Sequence, residues 1–213
     1  MEKFELRGIS KSIKGQQLFE NVSITLESHR VYGLIGENGS GKTMLLRLMS
    51  GLIRPDSGDI LVDGKKYDFM RKKPINIGLI IENIGMYPGL TGKENLEYLA
   101  SINKKISSSD IRNMLEAVGL DPNDKRKVRK YSLGMRQKLV VAQCFMENPD
   151  LILLDEPTNA LDEESVERVK KIVKRHAERG AVVLIVSHIK ENIFSVCDQV
   201  FMLQNGRINE VAE

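Results

Sequence analysis

The spacing of apolar residues changes along the chain, which predicts strands first, helices in the middle and both at the end. Apolar and polar residues alternate at 4–7 and 22–26, and this alternation is typical of half-buried strands, with a turn at Lys14-Gly15 between them. Residues 31–35 form a continuous apolar run, which predicts a buried strand. A glycine-rich loop follows, and apolar residues at 44–52 then recur at helical spacing, which predicts a helix with a buried face.

The rest of the chain first becomes helical and then returns to strands. A hairpin is predicted at 60–62 with its turn at Asp63-Gly64, followed by a strand at 75–81. The predicted helices are 93–102, 109–118 and 133–146, and the serines at 107–109 supply helix-start residues. Two apolar strands, 151–154 and 181–186, flank a charged helix at 163–178 that ends at Gly180. A final hairpin is predicted around Asn205-Gly206.

This order predicts an α/β fold: a β-rich start, a strand–loop–helix unit, a helical insert and a closing βαβ unit. The 213 residues are 41% hydrophobic and 29% charged, which suits one domain with a proper core. The net charge of +3 is too balanced to indicate a nucleic-acid binder. No apolar run approaches the roughly 20 residues of a membrane helix. Cys144 and Cys197 have no metal-site spacing, so we expect free thiols.

The basic residues at 125–130 have two interpretations, a solvated surface or a binding patch.

The glycine-rich loop carries the clearest chemical signal. Its eight residues at 36–43, Gly-Glu-Asn-Gly-Ser-Gly-Lys-Thr, fit the P-loop pattern between a predicted strand and a predicted helix. Glycines let backbone N–H groups turn towards a phosphate chain, and the helix N-terminus adds positive potential. Lys42 is expected to reach the β- and γ-phosphates, and the Thr43 hydroxyl to bind Mg²⁺. The predicted nucleotide-binding residues are Gly36, Asn38, Gly39, Ser40, Gly41, Lys42 and Thr43.

Two carboxylates follow the apolar strand at 151–154. Asp155 and Glu156 come at its carboxyl end, the edge at which open α/β sheets bind ligands. Asp155 is predicted to hold Mg²⁺ through a water molecule, and Glu156 to polarise the attacking water as a general base. An apolar run ending in acids is a weak signal alone, and the P-loop strengthens it.

With these motifs the chain resembles the nucleotide-binding subunits of ABC transporters over nearly its whole length. Tyr-Ser-Leu-Gly-Met at 131–135 lies where the family has its signature motif, 157–162 resembles the D-loop, and Ser187-His188 resembles the switch histidine. The resemblance implies a P-loop NTPase core with a RecA-like parallel sheet, formed by 1–90 and 147–213 together with an N-terminal antiparallel β subdomain. It also implies a helical subdomain at 91–146.

The resemblance also assigns roles that depend on a second subunit. Ser132 and Gly134 precede or begin a predicted helix, where a hydroxyl and backbone N–H groups form an anion site. In the family this site completes the ATP site of a second subunit, in a head-to-tail dimer, and is far from the P-loop of its own chain. A plain helix cap is the alternative interpretation of Ser132. His188 is expected to stabilise charge at the γ-phosphate with Lys42, and a surface histidine is its alternative.

Three departures from the family pattern involve four positions. Leu133 replaces a glycine and Met135 a glutamine, a variant similar to exporters linked with bacteriocin and peptide-antibiotic immunity or efflux. Glu82 stands where the family has a glutamine, and we expect it to act as a further Mg²⁺ ligand or to be only a loop acid. Ile13 stands where an aromatic residue stacks on adenine, so apolar contact replaces stacking and GTP is not excluded as a substrate.

The resemblance therefore predicts an ATPase that powers export through a separate polytopic permease, with ATP and Mg²⁺ as ligands. It also predicts a homodimer at the cytoplasmic face of the cell membrane and no nucleic-acid partner. A soluble, non-transport ATPase of an assembly complex is the main alternative. A P-loop kinase or GTPase is a weaker one, because the chain has no Asn-Lys-x-Asp sequence.

Overall fold

The computed structural model describes residues 1–69, 75–81, 85–188 and 195–211. These residues form ten strands, five α-helices and one short 3₁₀ helix at Val128–Lys130. The strands are β1 (Lys3–Ile13), β2 (Gln16–Glu27), β3 (Arg30–Ile35), β4 (Ser57–Val62), β5 (Lys65–Lys66), β6 (Ile77–Ile80), β7 (Leu151–Asp155), β8 (Val182–Val186), β9 (Gln199–Gln204) and β10 (Arg207–Val211). The helices are α1 (Lys42–Met49), α2 (Gly92–Asn103), α3 (Ser108–Ala117), α4 (Leu133–Phe145) and α5 (Glu163–Glu178).

The strands form two sheets. The first is antiparallel with the order β2-β1-β4-β5, and the second has the order β10-β9-β3-β8-β7-β6. In the second sheet all described pairings are parallel except that of the edge strand β10 with β9. The predicted α/β class with a parallel core sheet and an N-terminal antiparallel sheet is therefore confirmed.

The parallel sheet separates two apolar cores, because successive side chains of a strand point to opposite faces. In β7, Leu151 and Leu153 pack in one core, whereas Ile152 and Leu154 pack in the other. The first core lies between the parallel sheet, the antiparallel sheet and α1. The second lies between the parallel sheet and helices α2 to α5. The sheet is thus covered on both faces, as parallel sheets require.

Helices α2, α3 and α4 are inserted between β6 and β7. Thr91 and Ser107 start α2 and α3 with capping boxes, in which the side chain of the third helical residue returns a hydrogen bond to the cap. Asn95 is fully buried and binds the backbone of Tyr87 in both directions, at 2.8 and 3.1 Å. The insert is therefore anchored to the chain that enters it.

Most predicted elements are found within a few residues of their predicted bounds. The predicted helix at 44–52 is wrong at its end: α1 stops at Met49, and Leu52 is 60% exposed instead of buried. The chain leaves the helix at Gly51, whose φ of 77° is readily adopted only by glycine. Among the described residues, no helix is long and apolar enough to cross a membrane. Cys144 and Cys197 are free thiols, as predicted.

Candidate active site

The loop between β3 and α1 depends on glycine for its shape. Gly39 and Gly41 have φ angles of 81° and 102°. A Cβ on Gly36 would lie 2.4 Å from the carbonyl oxygen of Leu203, so only glycine fits there. Helix α1 starts directly after Gly41 without a side-chain cap, which leaves its first N–H groups available to an anion. The loop therefore presents backbone donors at the start of a helix.

The side chain of Lys42 folds back over this loop. Its Nζ donates to the carbonyl oxygens of Gly36 at 2.7 Å and Glu37 at 2.8 Å. The residue is 9% exposed, and burial lowers the pKa of its ammonium group, while the charges of Glu156 and Asp155 act in the opposite direction. The ammonium group thus lies beside the loop, close enough to two carboxylates for their charges to act on it.

Thr43 and Asp155 meet although 112 residues separate them in the chain. The Thr43 Oγ1 donates to Asp155 Oδ2 over 2.5 Å. Asp155 ends β7 and pairs with Val186 of β8, which places it at the carboxyl edge of the sheet. A hydroxyl and a carboxylate are hard oxygen ligands of the kind that Mg²⁺ binds. The described residues contain no group of three or more His, Cys, Asp or Glu that could hold a metal, so a cation here would take other ligands from phosphate and water.

Glu156 has a backbone conformation that is uncommon for a residue with a Cβ. Its φ is 48°, and its N–H donates to the carbonyl of Val186 at 2.9 Å. The carboxylate Oε1 accepts a hydrogen bond from the N–H of His188 at 2.7 Å and lies 2.6 Å from His188 Nδ1. The Ser187 hydroxyl donates to Oε2 at 3.2 Å. The structure therefore brings together the predicted base and the predicted switch histidine, a contact that the sequence did not predict.

Most of these groups open into one cleft of about 740 Å³, whereas Gly36, Ser187 and His188 line a separate cavity of about 310 Å³. The cleft is lined by Asn38, Gly39, Gly41, Lys42, Thr43, Asp155 and Glu156 from the predicted site. It is also lined by Leu18, whereas the predicted base contact Ile13 is half-buried at the end of β1, opposite Gln16. Ser40 lies within the loop, and its buried hydroxyl has no partner among the described residues.

The start of α4 lies on another part of this cleft, so it is nearer to the P-loop of its own chain than the resemblance implied. Leu133 and Gln137 line it, and the Leu133 side chain is 68% exposed. Ser132 caps α4, with its hydroxyl accepting the N–H of Met135 at 3.2 Å. This matches the plain helix cap of the alternative interpretation, and it does not test the predicted role towards a second subunit.

Asp162 and Glu82 lie in segments that the resemblance to ABC subunits singled out. Asp162, the last residue of the stretch that resembles the D-loop, caps α5 by accepting the N–H of Ser165 at 2.9 Å. Glu82, the predicted extra Mg²⁺ ligand, lies outside the described residues.

Gln137 was missed by the sequence analysis. Its Nε2 donates to the carbonyl oxygen of Pro157 over 2.9 Å, which links α4 to the residue that follows Glu156. The only sequence signal was an amide side chain in the second turn of the predicted helix, too common to single out.

The chain is similar to known proteins over nearly its whole length. The family model described as ABC transporter matches residues 19–159. An uncharacterised ABC transporter ATP-binding protein of Bacillus subtilis, YybJ, is 44% identical over 96% of this chain and 94% of its own. The bacitracin transport ATP-binding protein of Bacillus licheniformis is 37% identical, over 95% of this chain and 67% of its own. The lantibiotic transport ATP-binding protein of Streptococcus pyogenes is 32% identical, over 96% of this chain and 88% of its own.

Solved structures agree with these relatives. The ATP-binding subunit of an ABC transporter superposes with a TM-score of 0.87 at 25% identity, over 98% of this chain and 89% of that one. A dimeric bacterial ABC transporter cassette, at 23% identity and a TM-score of 0.85 over 99% of both chains, shares the fold. Relatives named as transport subunits do not favour the soluble assembly factor. The chain therefore belongs to the ABC transporter family, in which it is an ATP-binding subunit with ATPase activity.

Proposed function

We propose that this ATPase drives export through a separate polytopic membrane permease, working at the cytoplasmic face of the cell membrane. The names of the transport relatives support export, and the observation that carries the hydrolysis on which it depends is that Lys42, Thr43, Asp155 and Glu156 line one cleft at the end of the parallel sheet. That arrangement supplies a phosphate loop, cation ligands and a carboxylate base within one space. These are the parts that phosphoryl transfer to water requires.

In this proposal different groups of the chain bind the phosphates and activate the water. The N–H groups at the start of α1 and the Lys42 ammonium hold the phosphates and oppose their charge. Glu156 orients a water and takes its proton as the oxygen attacks the γ-phosphorus, and ADP leaves. Its two oxygens can accept about four hydrogen bonds, and the described contacts use three at most. The carboxylate therefore keeps room for the water.

Thr43 Oγ1 and Asp155 Oδ2 would hold Mg²⁺. The ion would supply positive charge that offsets the negative charge of the phosphates. The hydrogen bond between Thr43 and Asp155 keeps these two oxygens next to each other.

The purine base is proposed to contact apolar side chains instead of stacking on an aromatic side chain. Leu18 lines the cleft and Ile13 lies at the end of the same hairpin, so either residue can cover the base. Neither side chain offers a hydrogen bond that distinguishes adenine from guanine. We therefore expect GTP to compete with ATP more effectively than in a site with specific hydrogen bonds to the base.

A second copy of the chain is proposed to complete the site head to tail, with Ser132 and Gly134 of one copy facing the nucleotide of the other. The start of α4 supports this, because it combines an exposed apolar Leu133 with a helix N-terminus free of acidic residues. Peptide antibiotics such as bacitracin and lantibiotics are the proposed exported class, since two relatives are named for their transport.

The substitution Glu156→Gln tests the proposal, because an amide of equal size cannot accept the proton. We expect ATP hydrolysis to fall by about 10²–10⁴-fold, while ATP binding persists and ATP-dependent dimers accumulate in light scattering. Glu163→Gln, the same change at the exposed first residue of α5, is the matched control and should hydrolyse normally. Hydrolysis by Glu156→Gln at the wild-type rate would contradict the role of the carboxylate.

Export is tested separately in cells that produce the chain with its membrane partner. We expect these cells to resist bacitracin or a lantibiotic more than cells that carry Glu156→Gln, because export needs turnover. Equal sensitivity of both strains to every peptide antibiotic tried would contradict the substrate class and leave the ATPase activity intact.

A further inference from the structure

Gln137 connects the helical insert to the turn that carries Glu156. It lies in the second turn of α4, is half-buried and lines the cleft beside Glu156. Its Nε2 donates to the carbonyl oxygen of Pro157 over 2.9 Å. Pro157 directly follows Glu156, so the bond acts on the backbone next to the proposed base.

The turn that receives this bond has an unfavourable backbone at two positions. Glu156 and Ala160 have φ angles of 48° and 62°, in the left-handed region that residues with a Cβ avoid. Such conformations persist only where the surrounding structure holds them. The orientation of Glu156 therefore depends on the contacts made by its turn.

Most of these contacts come from the sheet. The Glu156 N–H binds the Val186 carbonyl, and the carboxylate is held by Ser187 and His188. Gln137 acts from the opposite element, the helical insert. Because it binds a carbonyl of the turn, it adds a restraint on the backbone that comes from α4.

A second contact keeps α4 against the same turn. A Cβ added to Gly134 would lie 2.9 Å from the carbonyl oxygen of Ala160, so the first turn of α4 has almost no free space there. A displacement of α4 would therefore reach the turn at two points, Ala160 by close packing and Pro157 by the Gln137 hydrogen bond.

We propose that Gln137 is a positioning residue, which keeps the Glu156 carboxylate directed into the cleft by holding the Pro157 carbonyl. It also makes that direction depend on the placement of α4. This inference rests on the proposed role of Glu156 as the base.

The substitution Gln137→Met tests it, because methionine has a similar length and no N–H donor. We expect kcat to fall about tenfold or more, since small displacements of a catalytic group have effects of up to about 10²-fold. The KM for ATP and the affinity for ATP should stay within about twofold of wild type. Gln137→Asn is one methylene too short to reach Pro157. If the first variant fails to fold, this one should show the same loss of kcat with an unchanged KM.

Gln143→Met is the matched control. Gln143 lies on the same helix, and its Oε1 has no hydrogen-bond partner among the described residues. Its kcat should equal that of wild type. A kcat near the wild-type value in both Gln137 variants would overturn the inference, and so would an equal loss in Gln143→Met.

A double-mutant cycle separates this inference from the proposed function. If Gln137 acts only through Glu156, Gln137→Met should not lower the residual hydrolysis of Glu156→Gln any further. An additional tenfold loss in the double variant would show an independent role and overturn the inference. A wild-type rate in Glu156→Gln alone would instead contradict the proposed function, whatever Gln137→Met does.

Discussion

The N-termini of α1 and α4 differ from those of the other three α-helices in the described part of the chain. Helices α2, α3 and α5 carry acidic residues in their first turns, among them Glu94, Asp110 and Glu163. Such carboxylates stabilise a helix start because they face its positive end. Helices α1 and α4 have no acidic residue there. The two helix starts proposed to face phosphate thus lack the group that would repel it.

The two acid-free starts also differ from one another. Helix α1 follows Gly41 and has no side-chain cap, so its N–H groups are available as they stand. In α4 the Ser132 hydroxyl already accepts the N–H of Met135. A phosphate at α4 must therefore share the N–H donors with the Ser132 cap. We expect the start of α1 to contribute more to ATP binding than the start of α4.

The strongest test of this difference is Lys42→Ala at the first residue of α1. We expect ATP hydrolysis to fall by about 10²–10³-fold and ATP affinity to fall with it, because a charged donor to the phosphates is lost. Equilibrium binding and steady-state turnover measure the two effects.

The matched control for that test is Lys93→Ala, in the first turn of α2, which should bind and hydrolyse ATP normally. Full affinity and turnover in Lys42→Ala would remove the basis for the phosphate site.

Ser132→Ala examines the start of α4, with Ser107→Ala at the cap of α3 as its control. Each change should lower the free energy of unfolding by about 1 kcal/mol, because each removes an N-cap. Only Ser132→Ala should also weaken ATP-driven dimerisation, by about tenfold, the effect of losing one hydrogen bond to a charged group. Equal dimerisation of the two variants, measured by light scattering with ATP, would leave Ser132 as a cap alone.

Met135→Glu gives α4 the first-turn acid that it lacks. It completes a capping box with Ser132 and should raise stability slightly, yet weaken ATP-driven dimerisation about fivefold through repulsion of phosphate. Met135→Gln is the control, since it differs from the glutamate variant only in charge. If both variants dimerise equally, no phosphate faces this helix start.

The smallest effect concerns α2, where hydrogen bonds from the Thr91 backbone and then from Lys127 and the Thr91 side chain lower the pKa of Glu94 to about 2. Its contribution to stability is therefore present above the ordinary glutamate pKa and is lost as the pH falls from there towards 2. Urea midpoints between pH 7 and pH 3.5 should show wild type losing part of its advantage over Glu94→Gln. A difference that does not change with pH would contradict the capping role of the charge.

Sequence patterns predicted the elements well where each signal was local. Helix α5 has its predicted bounds because Asp162 and Gly180 mark its two ends. The end of α1 was missed because apolar spacing continues to Leu52, while Gly51 turns the chain away first. Hydrophobic periodicity alone cannot report a change in backbone direction.

The candidate site shows the same limit at a longer range. Leu18 lines the cleft, and the sequence patterns did not single it out although it lies on the strand paired with that of Ile13. The β1–β2 pairing contains three register shifts, and each shift changes which residues share a face of the sheet. Similarly, His188 and Glu156 are 32 residues apart, and Gln137 and Pro157 are 20 apart. No pattern within either segment predicts such contacts.

By itself, the sequence determined the phosphate loop, the two acids after β7 and the alternation of strands and helices. Those features depend on neighbouring residues, because three glycines within six residues, followed by one lysine and one threonine, suffice to form a loop of backbone donors before a helix. Only the tertiary structure decided that Thr43 meets Asp155, that Glu156 meets His188 and that Gln137 reaches Pro157. These contacts follow from the strand order β3-β8-β7 and from the docking of α4, which bring distant segments to one edge of the sheet.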